Sequence, residues 1–223
     1  MDKAPLEVTE AGKRTFNKYK NKWPSVSNKD VDRVAKRLSQ VLPETESGWE
    51  VVTFDLSPAN AFALPGGKVG INTGVLPHAK SDAYIATILS HEIAHVIKNH
   101  HDERDRRDYA LTLLATLPES TSEEITRKEK IRENLLEGLP NNIEMEIEAD
   151  RVGLIYMAKA GYHPREAIRF WEEFSIYKKA QKLHSEKYLK THPLDSTRIS
   201  KLNEILPYAL TEYKKSPFRN NTL

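Results

Sequence analysis

Hydrophobic positions recur along this chain with a changing period, and each change marks a new element. In residues 1–42, Phe16, Val31, Val34, Leu38 and Val41 stand among charges at helical spacing. The segment therefore reads as two amphipathic helices broken at Trp23-Pro24-Ser25. Between residues 49 and 76 the pattern shortens. Trp49 to Phe54 and Lys68 to Asn72 are β-type runs, and Leu64-Pro65-Gly66-Gly67 between them has turn chemistry, which predicts a small antiparallel sheet.

Longer helical patterns follow. Ser81-Asp82 offers an N-cap to a helix carrying Ile85, Ile88, Leu89, Ala94 and Val96, expected to run to about His101. The wholly charged run from Asp102 to Arg107 and the polar stretch 118–138 predict a helical, partly mobile excursion. Asn141 with Glu144 resembles a capping box that opens a helix continuing to about Ala160, with Gly161 as its stop. Pro164 and Pro193 each mark the start of a further helix. The fold class expected is α+β, predominantly helical, with the small sheet packed beside the helix that begins at Asp82. Residues 1–48 are expected to pack on a main domain of residues 49–210, with 211–223 as a tail.

At 223 residues, one domain with a core of ordinary size accounts for the length. Charge is nearly balanced, 34 Lys+Arg against 32 Asp+Glu. The basic excess of residues 1–41 lacks the aromatic interleaving of a nucleic-acid surface, so no nucleic-acid partner is expected. No cysteine is present, which excludes disulfides, thiolate metal sites and a cysteine nucleophile. Any metal must be held by histidine and carboxylate. No apolar run approaches the roughly 20 residues that span a bilayer. The start at Met1-Asp2-Lys3 is followed by no signal-like stretch. Membrane association is left to a removed leader or lipid anchor.

One constellation carries chemistry. On a helix, His91 and His95 lie four apart on one face, with Glu92 beside them, in the His-Glu-x-x-His arrangement. Neutral imidazoles suit zinc, and a catalytic site needs a third protein ligand so that one position stays open to water. The run Glu144-Met145-Glu146-Ile147-Glu148-Ala149-Asp150 offers that ligand. Glu146 and Asp150 share a face four apart, whereas Glu144 and Glu148 point elsewhere. Glu146 is thus the expected ligand, and Asp150 the acceptor that fixes a ligand ring. His100 is nine from His91 and five from His95, off their face. With His78, His101, His163 and His184 it is expected to have a surface or packing role.

These segments resemble the HtpX- and BepA-like zinc metallopeptidases, relatives of the CAAX prenyl proteases. Asn60-Ala61-Phe62-Ala63-Leu64-Pro65-Gly66-Gly67 is similar to the family's edge strand and turn, and Thr191-His192-Pro193 with Arg198 to its late His-Pro-x-x-x-x-Arg signature. The resemblance implies a zincin-like domain of gluzincin type with one zinc ion on His91, His95 and Glu146, and Glu92 as base. It places His192 and Arg198 near the cleft as stabilisers of an oxyanion. It also implies an edge strand at Asn60, Ala61, Phe62 and Ala63 that takes a polypeptide substrate as an added strand. The expected activity is endoproteolysis of unfolded, misfolded or exported proteins, as quality control in the periplasm or cell envelope. The alternative is a zinc-bound latent homologue that binds or chaperones protein, with residues 102–140 as a lid.

Overall fold

The computed structural model describes residues 6–100, 142–180 and 196–219. The expectations for Asn141, for His101, His184 and His192-Pro193, and for the excursion and lid at 102–140 lie outside the described residues.

The N-terminal part begins with α1 (Leu6–Lys22), a short strand β1 (Ser25–Val26) and α2 (Lys29–Ser39). Pro24 separates the two helices as expected. The Asn28 side chain caps α2 by accepting from the backbone N–H groups of Asp30 and Val31, both at 3.1 Å. Val31, Val34 and Leu38 form the buried stripe of α2; burying each contributes about 1.5–3 kcal/mol.

Three further strands complete the sheet: β2 (Glu50–Phe54), β3 (Ala61–Leu64) and β4 (Lys68–Asn72). Their spatial order is β1-β2-β4-β3. Here the expected all-antiparallel sheet is corrected, because β2 and β4 pair in parallel, Val52 opposite Gly70, and the sheet is mixed. The tight turn at Pro65-Gly66-Gly67, whose two glycines take left-handed φ of 86° and 74°, forces β3 and β4 into an antiparallel hairpin. The six residues between β2 and β3 carry the chain past one strand position, and β4 inserts into the gap. Among the described residues β3 is thereby left at an edge. α1 lies over β3 and β4, where Phe16 and Tyr19 meet Phe54 and Phe62 at ring-centroid distances of 4.9–6.3 Å.

The central element is α3 (Asp82–Ile97). Ser81 caps it, its hydroxyl accepting from Tyr84 N–H at 3.2 Å. Every residue from Tyr84 to His95 is buried. A helix enclosed on all sides has no solvent stripe to make it amphipathic. α2, β3 and β4 pack on it, as do α4 (Asn142–Lys159) and α5 (Arg165–Ala180), while α6 (Ser196–Lys215) closes over α4.

α3 ends at Ile97, earlier than the expected His101. Lys98 is the last near-helical residue, and Asn99 turns into the left-handed region at φ 56°, a conformation asparagine tolerates better than most residues. α4 stops before Gly161, whose φ of 82° matches the expected break. α6 continues through position 211 to Lys215, and β1, from residues 1–48, is a strand of the same sheet as β2 to β4.

Candidate metal centre

α3 and α4 together build the site. Gly153 of α4 faces the backbone of α3, where an added Cβ would lie 3.0 Å from His91 N and from the Ser90 carbonyl atoms. The missing side chain lets the two helices approach closely. Glu146 and Asp150 precede Gly153 on the same face by seven and three residues, so this contact sets both carboxylates beside the histidines.

The three expected ligands converge. His91 Nε2 is 3.1 Å from His95 Nε2 and 3.1 Å from Glu146 Oε2, and His95 Nε2 is 3.3 Å from Glu146 Oε1. All three side chains are buried. Donors bound tetrahedrally at about 2.0–2.1 Å stand roughly 3.3–3.4 Å apart, close to the spacing seen. The chemistry agrees. His91 Nδ1 lies 3.0 Å from Asp150 Oδ1, and donating there leaves the Nε2 lone pair facing a carboxylate that can also only accept. Such a convergence of lone pairs calls for a cation, a proton on Nε2 or a metal ion, and the donor set fits a divalent metal.

Electrostatics point the same way. Burial works against charge on His91, but the bonds to Asp150 and Glu146 outweigh it and raise the imidazole to about 9. The same field favours any cation held there. Asp150 is also buried, which alone would raise its carboxyl, yet Arg198 holds it below the usual carboxylate range. Arg198 Nε and Nη2 donate to Asp150 at 2.7 and 2.8 Å, and Nη1 lies 3.3 Å from Glu146 Oε2. The guanidinium is fully buried and stacks on Trp171, 4.8 Å from the ring centroid. Trp171 in turn meets His91 edge-on at 5.6 Å.

Glu92 is buried on α3 between the two histidines. Asn60, Ala61 and Ala63 are buried and Phe62 is half-buried along the edge strand, above α3. Glu144 is exposed and is not one of the three converging side chains.

His100 requires correction. It is not a surface or packing histidine: it is buried, with Nδ1 2.8 Å from His95 Nδ1 and Nε2 3.0 Å from Glu148 Oε2. Lys98 Nζ closes on the other oxygen of Glu148 at 2.6 Å. Burial would raise the Glu148 carboxyl, but Lys98 and His100 outweigh it and hold it low. Helical spacing misses His100 because Asn99 turns the chain back; an asparagine at a helix end is the signal that could have found it. Nothing in spacing singles out Gly153 or Trp171. His78 and His163 do pack, against Phe174 and Tyr213 respectively.

Comparison with known proteins gives a family. Residues 25–206 match Peptidase family M48. The chain is 33% identical over 201 residues to the mitochondrial metalloendopeptidase OMA1 of Saccharomyces cerevisiae, covering 87% of this chain and 54% of that protein. It is 34% identical over 173 residues to the mitochondrial metalloendopeptidase OMA1 of Arabidopsis thaliana, covering 75% and 34%. Identity to the putative beta-barrel assembly-enhancing protease of Vibrio cholerae is 30% over 193 residues, covering 80% and 39%. The chain thus spans from about a third to just over half of each relative's length.

Proposed function

This chain belongs to peptidase family M48, in keeping with its HtpX- and BepA-like motifs, and we propose that it is a zinc-dependent endopeptidase acting on unfolded, misfolded or exported polypeptide. The observation that carries the reading is the convergence of His91, His95 and Glu146 within 3.3 Å of one another. Zinc would be held by these three and would supply Lewis acidity for polarising a carbonyl and activating water near neutral pH.

The chain's own groups do the rest. Glu92 takes the proton from the attacking water as its oxygen bonds to the peptide carbon, then delivers that proton to the amine as the C–N bond breaks. Asp150 holds the His91 ring, and Arg198 holds Asp150 and Glu146. With Arg198 so engaged, stabilising the oxyanion falls first to His192. A substrate segment pairs with β3 along Asn60, Ala61, Phe62 and Ala63, because an edge strand offers main-chain groups without regard to sequence. The catalytic unit proposed is residues 49–210 together with β1, which joins the sheet, α2, which packs on α3, and the end of α6 at Lys215. A place in the cell envelope belongs to the same proposal: the Vibrio cholerae relative is named for beta-barrel assembly, whereas the OMA1 relatives are named as mitochondrial. No helix among the described residues is long and apolar enough to cross a membrane.

Glu92→Gln separates chemistry from binding. The variant is expected to retain zinc and lose cleavage of casein; cleavage at the unaltered rate would overturn the proposal. A chain that binds zinc and cleaves nothing, even unaltered, would be the latent binding homologue instead.

A further inference from the structure

We infer that His100 is a positioning residue for His95, the near member of a relay that ends on Glu148; the inference rests on the reading of His91, His95 and Glu146 as metal ligands. Each ligand imidazole has a second nitrogen, and its partner decides the tautomer and tilt of the ring. For His91 that partner is Asp150. For His95 it is another histidine, with the two Nδ1 atoms 2.8 Å apart.

Two ring nitrogens at this distance share one proton, so one donates and the other accepts. A His95 that turns its Nε2 lone pair to a cation must carry its proton on Nδ1, and so donates to His100. His100 then keeps its own proton on Nε2 and donates it to Glu148 Oε2 at 3.0 Å. A carboxylate can only accept. The direction of the relay is therefore set at both ends, by the cation's demand for a lone pair and by the carboxylate.

Two further observations favour this role over space filling. Burying an imidazole is unfavourable unless its nitrogens are hydrogen-bonded; His100 is 1% exposed and both of its nitrogens are engaged. The backbone also departs from helix to bring it there. A straight continuation of α3 would place His100 about 140° around the axis from His95, whereas Asn99 at φ 56° folds the chain back toward it.

The full chain, zinc-loaded, tests the inference by competition against a chromogenic chelator, with the visible spectrum of the cobalt(II)-substituted form as a second readout. His100→Phe fills the space without an acceptor and is expected to weaken zinc about 10–100-fold and change the cobalt spectrum. His100→Asn presents Oδ1 in place of Nδ1 and is expected to recover most of the affinity. Glu148→Ala alters a side chain that is 44% exposed, so it preserves the fold and is expected to weaken zinc by a smaller factor. Circular dichroism of the metal-free forms reports folding. Unchanged affinity in a folded His100→Phe chain, or in Glu148→Ala if His100→Phe does not fold, would overturn the relay. Equal losses in His100→Phe and His100→Asn would also overturn it, by showing a packing effect alone. An unaltered chain that binds zinc no better than Glu146→Ala would instead remove the underlying reading of the ligands, and the relay with it.

Discussion

Arg198 grips Asp150 through two parallel hydrogen bonds, at 2.7 and 2.8 Å, while its third nitrogen reaches to 3.3 Å from Glu146. One guanidinium on α6 thereby fixes both carboxylates that α4 turns toward α3. Arg198→Met would leave these buried anions without their guanidinium, and breaking such a pair is expected to destabilise the metal-free chain by about 3–5 kcal/mol. Arg198→Lys would not restore it, because a single ammonium lacks the planar fork. Urea unfolding of the three forms checks this; equal stability of the lysine variant and the unaltered chain would contradict it.

Gly153→Ala tests the helix contact. In an ordinary helix interior the change stabilises by about 0.8–1.0 kcal/mol. Here the new methyl would meet the backbone of Ser90 and His91 at 3.0 Å, and backbone cannot rotate away. The expected outcome is a lower melting temperature and weaker metal binding, since Glu146 moves with α4. A raised melting temperature would show that the contact is not limiting.

The glutamates of α4 divide by burial. Glu146→Ala removes a candidate ligand with 0% exposure and is expected to abolish stoichiometric metal uptake. Glu144→Ala, one half-turn away and exposed, is expected to leave uptake intact and stability within about 0.5 kcal/mol. Elemental analysis of both variants decides. Loss of metal from Glu144→Ala alone would exchange their roles.

A pH dependence follows at Glu50, the first residue of β2. Burial would raise its carboxyl, but Lys20 at 2.7 Å and Lys68 at 3.0 Å outweigh that and hold it below 4.5. A depressed folded-state value means that the stabilisation is complete above 4.5 and disappears as pH falls through the folded-state value. The side chain is 35% exposed, so the gain is about 1 kcal/mol or less. The stability difference between the unaltered chain and Glu50→Gln is expected to shrink toward zero on acidification. A difference that grows instead would reverse the assigned sign.

Much of this molecule was legible in its residues. The break at Trp23-Pro24, the Ser81 cap, the β3–β4 turn and the stop at Gly161 are local chemistry, and each appears at or beside the expected position. The candidate ligands were legible for a related reason. His91 and His95, or Glu146 and Asp150, are paired by the pitch of one helix, and a period of 3.6 residues holds wherever the helix sits.

What sequence alone determined is therefore each set of groups presented by a single element: two imidazoles on α3, two carboxylates on α4, and the tight turn at Pro65-Gly66-Gly67. Only the tertiary structure decided how those sets meet. The parallel pairing of β2 with β4, the close crossing at Gly153, the guanidinium of Arg198 beneath both carboxylates and the return of His100 to His95 all join residues across different elements or across a helix end. Such contacts depend on the packing of whole surfaces and on one backbone turn at Asn99, and no periodicity within one segment encodes them.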